Sequence, residues 1–286
     1  MKTPHAVSAT FVTITILLAS ATANAATAKV PANVDLAAKA MYAAATMESS
    51  SKSTKMSTRG SNGCKSRHFP KKGRIYCKNW YRDFKEDISY VVAVYRNVMY
   101  VSIRGTDKSL RSNKLMNANA YRAQTQYGKV HTGWWLASNK VWKRLKNTIA
   151  RYGKGRKVII TGHSMGGAVA AYVTRHALSY SKTKNLQLRL VTFGAPRYSH
   201  NPYFFPAKKS LYVYTVENLY KRRAKGRWIA DPIVHSWRVT GGAITPPDGR
   251  KRIWSKQCRT TKTNSSDAHA ARTYYDTGTA NRCHIS

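Results

Sequence analysis

Gly162-His163-Ser164-Met165-Gly166 is the stretch whose reading decides the fold. Before it runs Arg156-Lys157-Val158-Ile159-Ile160-Thr161, a short β-branched run that predicts a buried strand. After it runs Gly167-Ala168-Val169-Ala170-Ala171-Tyr172-Val173-Thr174, small and helix-compatible. Strand, sharp turn and helix with serine at the apex make a nucleophile elbow. Glycines on both sides remove Cβ atoms that would clash where the chain reverses, so the serine is pushed outward. A bare G-x-S-x-G is weak, because Gly and Ser are both common. The strand before it and the helix after it carry the reading.

The same alternation extends to both sides. Val34 to Met47 is a helix by composition. Tyr90 to Tyr95 and Val98 to Ile103 are β-rich runs separated by Arg96-Asn97, which predicts a hairpin. Trp135 to Tyr152 carries Leu136, Val141, Trp142, Leu145 and Ile149 at helical spacing, with Gly153 as its stop. Leu186 to Phe193 and Leu211 to Val216 are further strands. Alternating strands and helices require a mostly parallel central sheet flanked by helices, an α/β fold. After residue 220 loops and basic residues are expected to dominate.

Serine needs a base and an orienting acid to act as a nucleophile. In an elbow hydrolase the acid and then the histidine follow the serine in the chain. Downstream of Ser164 the acids are Glu217, Asp231, Asp248, Asp267 and Asp276. His176 and His200 come too early for that order, which leaves His235, His269 and His284. Asp231 sits in a loop after a strand, before a stiffening proline, and spacing favours it over Glu217 at a strand end. His235 is four residues beyond Asp231, in the same loop. His269 lies in a polar loop between two cysteines and is favoured over His284, three residues from the C-terminus, where chains fray.

The charge is extreme: 50 Lys and Arg against 11 Asp and Glu, a net +39. Dense runs lie at Lys71-Lys72-Gly73-Arg74, Lys221 to Arg227 and Arg250-Lys251-Arg252. Such a surface attracts anionic lipid, acidic polysaccharide or nucleic acid, but no basic helix or zinc pattern points to specific nucleic-acid readout. The N-terminus reads as a secretory signal peptide: Lys2 and His5, an apolar run from Ala6 to Ser20, then Ala23-Asn24-Ala25. Cleavage after Ala25 would leave residues 26–286 as a single domain, secreted to the periplasm or beyond. Four cysteines in an exported chain predict two disulfides. The local connectivity is Cys64 with Cys77 and Cys258 with Cys283, with the other two connectivities still open.

Several motifs, in order, are similar to those of the class 3 lipase family, the fungal-type lipases of the α/β-hydrolase superfamily. Val101-Ser102-Ile103-Arg104-Gly105-Thr106 resembles its F-R-G-T/S strand end, and His131-Thr132-Gly133-Trp134 its V-H-x-G-F. Gly162 to Gly167 matches its G-H-S-L/M-G-G, and Val191-Thr192-Phe193-Gly194-Ala195-Pro196-Arg197 its V-T-F-G-x-P-R. Asp231-Pro232-Ile233-Val234 looks like its D-x-V-P. The resemblance implies an α/β-hydrolase fold, Ser164 as nucleophile, Asp231 as acid, and an oxyanion hole from Thr106 and the Met165 N–H. The D-H-x-x-Y expected around the histidine is only approximated by Asp267-Ala268-His269 and Tyr274-Tyr275. His163 is expected to hydrogen-bond inside the elbow, Arg104 and His131 read as framework polar groups, and Trp134, Trp135 and Trp142 read as core.

The resemblance also implies a lid, here Asp107 to Lys129. It is polar, with Leu110, Leu115 and Met116 as apolar anchors. That favours an esterase, phospholipase or broad acyl hydrolase over a strict triacylglycerol lipase. The chemistry needs no metal or organic cofactor, and no C-x₂-C or H-x₃-H cluster is present. The competing function class is a cationic membrane- or nucleic-acid-binding protein on an inactive hydrolase scaffold.

Overall fold

The computed structural model describes residues 32–45, 81–82, 88–106, 117, 121–199, 204–205, 211–221, 228–231, 233–234, 253–260, 262, 264–279 and 283–284. The signal-peptide segment, Cys64, Cys77, His235, residues 107–116 of the lid segment and most of the dense basic runs lie outside the described residues.

The strands are β1 (Tyr81–Arg82), β2 (Ser89–Tyr95), β3 (Val98–Ile103), β4 (Arg122–Thr125), β5 (Gly128–His131), β6 (Lys157–His163), β7 (Gln187–Phe193), β8 (Leu211–Lys221), β9 (Trp228–Ala230), β10 (Ile253–Arg259) and β11 (Cys283–His284). The helices are α1 (Ala32–Ala45), α2 (Thr132–Gly153), α3 (Met165–Ser179), α4 (Ser265–His269) and α5 (Ala271–Thr279). Nine of these strands form one sheet, in the order β1-β2-β3-β6-β7-β8-β10-β11, with β9 paired to the far end of β8. The interior pairs β3–β6, β6–β7, β7–β8 and β8–β10 are parallel, and the flanking pairs are antiparallel.

A parallel interior strand is covered on both faces, so its sequence is continuously apolar rather than alternating. Strand β6 shows this: every residue from Val158 to His163 is buried. Val158 and Ile160 join the core formed with Val141, Leu145 and Ile149 of α2 and Val169 of α3. Ile159 between them joins the core on the opposite face, with Met41 of α1 and Tyr274 of α5. The first and last helices thus share one face of the sheet, where the Tyr42 and Tyr275 rings lie 4.7 Å apart.

The expected elements form, with shifts that have local causes. The Arg96-Asn97 turn has φ of 45° and 60°, as a two-residue hairpin loop requires. Helix α2 begins three residues before the apolar period because His131 caps it, its Nδ1 accepting the Trp134 N–H at 3.3 Å. Strand β8 continues five residues past Val216, so Glu217 lies inside the strand rather than at its end. Residues beyond 220 were expected to be loop-dominated; they supply β9, β10, β11, α4 and α5 instead. Polar composition hid these elements because most owe their place to neighbours in the sheet or to the site. The end of the segment expected to be a lid, from Arg122 to Lys129, lies in the β4–β5 hairpin.

Glycine is required at the elbow for space. A Cβ on Gly162 would collide with the Gly166 carbonyl, and one on Gly166 with the carbonyls of Ile103 and Arg104. The start of α3 therefore packs backbone to backbone against the end of β3. Gly166→Ala is expected to lower the unfolding free energy by about 1–3 kcal/mol through overpacking. Urea denaturation checks this, and wild-type stability would contradict the close approach.

One buried and one partly buried histidine couple the fold to pH. The His131 ring stacks on Trp134 with centroids 3.7 Å apart, and burial pushes its pKa down from 6.5 to about 4. Burial, followed by the charge of Arg175, does the same for His176. The unfolded imidazoles bind protons below about 6.5, while the folded ones resist until about 4. Their stabilising effect is therefore complete above pH 6.5 and is lost as the pH falls toward 4. The melting temperature should drop across that window. His131→Asn, which keeps a capping oxygen but cannot titrate, should flatten part of the drop.

Candidate active site

Strand β6 ends at His163 and α3 begins at Met165, leaving Ser164 alone at the turn with φ 54° and ψ −131°. Such a positive φ is uncommon for a residue with a side chain and is held only by surroundings that over-determine it. Here the Ser164 N–H donates to the Phe193 carbonyl at 2.9 Å, and the Ser164 carbonyl accepts from Gly167 at 2.9 Å. The turn is anchored to β7 on one side and to α3 on the other.

The Ser164 hydroxyl lies 2.9 Å from His269 Nε2. On the other side of that ring, Nδ1 lies 2.6 Å from Asp231 Oδ2. A carboxylate acceptor places the imidazole proton on Nδ1, which leaves Nε2 able to accept from the serine. The expected polar loop around His269 is instead helical: His269 closes the five-residue helix α4, capped by the Asn264 side chain on the Asp267 N–H.

Asp231 follows β9 and is fully buried. A buried carboxylate is tolerable only when its lone pairs are occupied. Its Oδ1 accepts from the Ile233 N–H at 2.9 Å. Its Oδ2 accepts from His269 and from the Tyr274 hydroxyl at 2.7 Å. Tyr274 in turn accepts the Asn218 N–H at 3.0 Å. Burial and the neighbouring Asp231 charge hold the Tyr274 pKa well above its ordinary value, so it stays a donor. Gly194, at φ 55°, makes room for this ring: a Cβ there would lie 2.6 Å from it. Tyr274 and Asn218 were missed by sequence reasoning. The tyrosine was visible only as part of an approximate motif at a different spacing from the histidine. Glu217, the competing acid, is buried in β8 next to Asn218, while the carboxylate at the His269 ring is that of Asp231. His284 lies on β11 opposite Gln257.

Thr106 follows β3, two residues past Arg104, whose N–H is tied to the Ser89 carbonyl at 2.9 Å. Its hydroxyl lies 3.7 Å from the Met165 sulfur and accepts from the Asn117 amide at 2.9 Å. The Asn117 carbonyl oxygen accepts the Trp134 indole N–H at 3.0 Å. This contact fixes which way the amide points, and nothing in the sequence pointed to Asn117. Met165 opens α3, so its N–H is one of the first-turn amides with no partner inside a helix. Trp134 is fully buried, and Trp135 and Trp142 pack partly buried against the core.

The arrangement sets a hydroxyl, an imidazole and a buried carboxylate in one hydrogen-bonded line beside the end of β3. A model of the family described as lipase (class 3) matches residues 100–215, which include β3, the elbow and β7. No curated protein matches the chain. Among solved structures, the Lip2 lipase of Yarrowia lipolytica is 17% identical, with 78% of each chain covered and a TM-score of 0.52. A triacylglycerol lipase of Penicillium expansum is 14% identical, with 88% of each chain covered and a TM-score of 0.50. At these identities the structures speak for the fold, which is that of the α/β-hydrolases. The family model spans the elbow and its supporting strands, so over residues 100–215 the chain is similar to the class 3 lipases, and that similarity supports a carboxylic ester hydrolase.

Proposed function

We propose that the protein is a secreted serine hydrolase that cleaves acyl esters of lipids through Ser164, His269 and Asp231. The observation that carries the reading is the His269 ring, 2.9 Å from the Ser164 hydroxyl and 2.6 Å from Asp231. As Ser164 Oγ bonds to the ester carbonyl carbon, its proton passes to His269 Nε2. Asp231 keeps the ring in the correct tautomer and stabilises the imidazolium. Thr106 Oγ1 and the Met165 N–H are the donors for the developing oxyanion. His269 then protonates the leaving alcohol, and the same steps with water release the acid. No metal or organic cofactor enters this scheme.

Lipid esters are the substrate class in keeping with the family, and the structural neighbours are themselves named lipases. The polar lid segment favours phospholipids, glycolipids or simple esters over strict triacylglycerol hydrolysis. Removal of residues 1–25 and a Cys258–Cys283 disulfide belong to the same proposal. The disulfide is supported by register, since the two residues stand opposite each other in the β10–β11 pair. The competing reading, a cationic binding protein without activity, drew its support from the thin sequence context of the histidine. The contacts of His269 with Ser164 and Asp231 support the hydrolase reading over it.

Ser164→Ala is expected to abolish labelling by a fluorophosphonate probe and hydrolysis of a short-chain nitrophenyl ester. Asp231→Asn should lower kcat about 10⁴-fold, and Thr106→Val about 10²–10³-fold. His284→Ala should leave turnover intact; a large loss there, with His269→Ala fully active, would reassign the base.

The +39 charge makes anionic membrane the favoured docking surface. Binding to phosphatidylglycerol vesicles should weaken as salt rises from about 50 to 500 mM, because screening shortens the reach of surface charge. Turnover of the soluble short-chain ester should not change over that range. Salt-independent vesicle affinity would remove electrostatics from the docking step.

A further inference from the structure

His163, the residue before the nucleophile, does something the nucleophile's own chemistry does not require. It is the last residue of β6 and is buried, with 9% of its surface exposed. Its Nε2 lies 2.7 Å from the main-chain oxygen of His269, 106 residues away in the chain. A carbonyl oxygen carries no proton, so Nε2 is the donor and the ring is the neutral Nε2–H tautomer. Burial, followed by the nearby His269 charge, pushes its pKa down from 6.5 to about 3. The ring therefore stays neutral wherever an imidazole base can work. Its face also lies against the site, with ring centroids 4.8 Å from His269 and 5.4 Å from Tyr274.

The place where this bond lands is what gives it a role. His269 closes α4, a helix of five residues, and α5 starts two residues later at Ala271. A helix that short has no stability of its own, and its final carbonyls lack partners inside it. The position of the imidazole is therefore set by contacts from outside the segment. Asp231 and Ser164 hold the ring, but both bonds change character when the serine proton moves. The His163 bond to the main chain does not.

We infer that His163 is a positioning residue, whose Nε2–H holds the His269 main chain so that the imidazole stands between Ser164 and Asp231. Adjacent residues at one strand end then set both partners of the proton transfer, the nucleophile directly and the base through its backbone. The inference rests on the Ser164–His269–Asp231 reading.

The test compares His163→Leu, His163→Gln and His269→Ala in the full chain, on a soluble short-chain ester. Leu removes the donor and keeps bulk, while Gln keeps an N–H at similar reach. His163→Leu should lower kcat about ten- to a hundredfold, the scale of a misplaced catalytic group, with KM changed less than about twofold. His163→Gln should recover most of that loss. Wild-type kcat in the Leu variant, or a Gln variant no better than Leu, would overturn the inference. His269→Ala separates the two levels. If it stays active, the triad reading fails; if it is inactive while His163→Leu is normal, the positioning inference alone fails. A measurement on the unmutated protein covers poor folding of the Leu variant. Nitrogen-15 spectra should show the His163 ring protonated on Nε2 and unchanged between about pH 5 and 9. A proton on Nδ1, or titration in that range, would overturn the inference.

Discussion

Everything in the site depends on how closely α3 can approach the end of β3. The contact is made by main chain on both sides, since a Cβ on Gly166 would strike the carbonyls of Ile103 and Arg104. That proximity forces the reversal at Ser164, holds its φ at 54°, and brings Met165, the first residue of α3, into contact with Thr106 through its sulfur. The energy for it comes from elsewhere. The apolar run of β6 joins the cores on both faces of the sheet, the small residues of α3 fill one of them and α1 the other, so a local strain of a few kcal/mol is outweighed by burial.

The second constraint is the buried carboxylate. Asp231 is satisfied by groups from three separate places: the Ile233 N–H, the His269 ring and the Tyr274 hydroxyl. Tyr274 also receives the Asn218 N–H from β8 and needs the empty space over Gly194 after β7. Each partner removed would leave a buried polar group unpaired. The network therefore ties the C-terminal helices to the parallel sheet and gives two otherwise weak helices a fixed seat. Through Tyr274, which lies in the same core as α1, it also reaches the N-terminal helix.

The middle of the chain was legible because its signals are local and strong. A β-branched run, a glycine-flanked serine and a small-residue helix specify strand, turn and helix without help from distant residues. The Arg96-Asn97 hairpin belongs to the same class, and so does α2, apart from a start moved back by the His131 cap. The C-terminal third was poorly legible for the opposite reason. Strand β10 is Ile253-Trp254-Ser255-Lys256-Gln257-Cys258-Arg259, whose polar residues give little sign of a strand that pairs with β8 over seven positions. Helix α4 is five residues long, and its place comes from the site it serves. Chain order and the scarcity of acids and histidines pointed to Asp231 and His269, which the structure brings to 2.6 Å of each other. Asn117 and Tyr274 were not legible, because a neutral amide and a buried phenol acquire meaning only from what they touch.

The sheet's two ends have a bearing on how the molecule behaves among copies of itself. Among the described residues, the path through the sheet finishes in β1 on one side and β11 on the other, each two residues long and antiparallel to its neighbour. A long unpaired edge is a template on which another chain can add strands, and very short edges deny it a register. A strand added at either end brings a second copy of the chain with it, and a net charge of +39 on each copy opposes that approach through mutual repulsion.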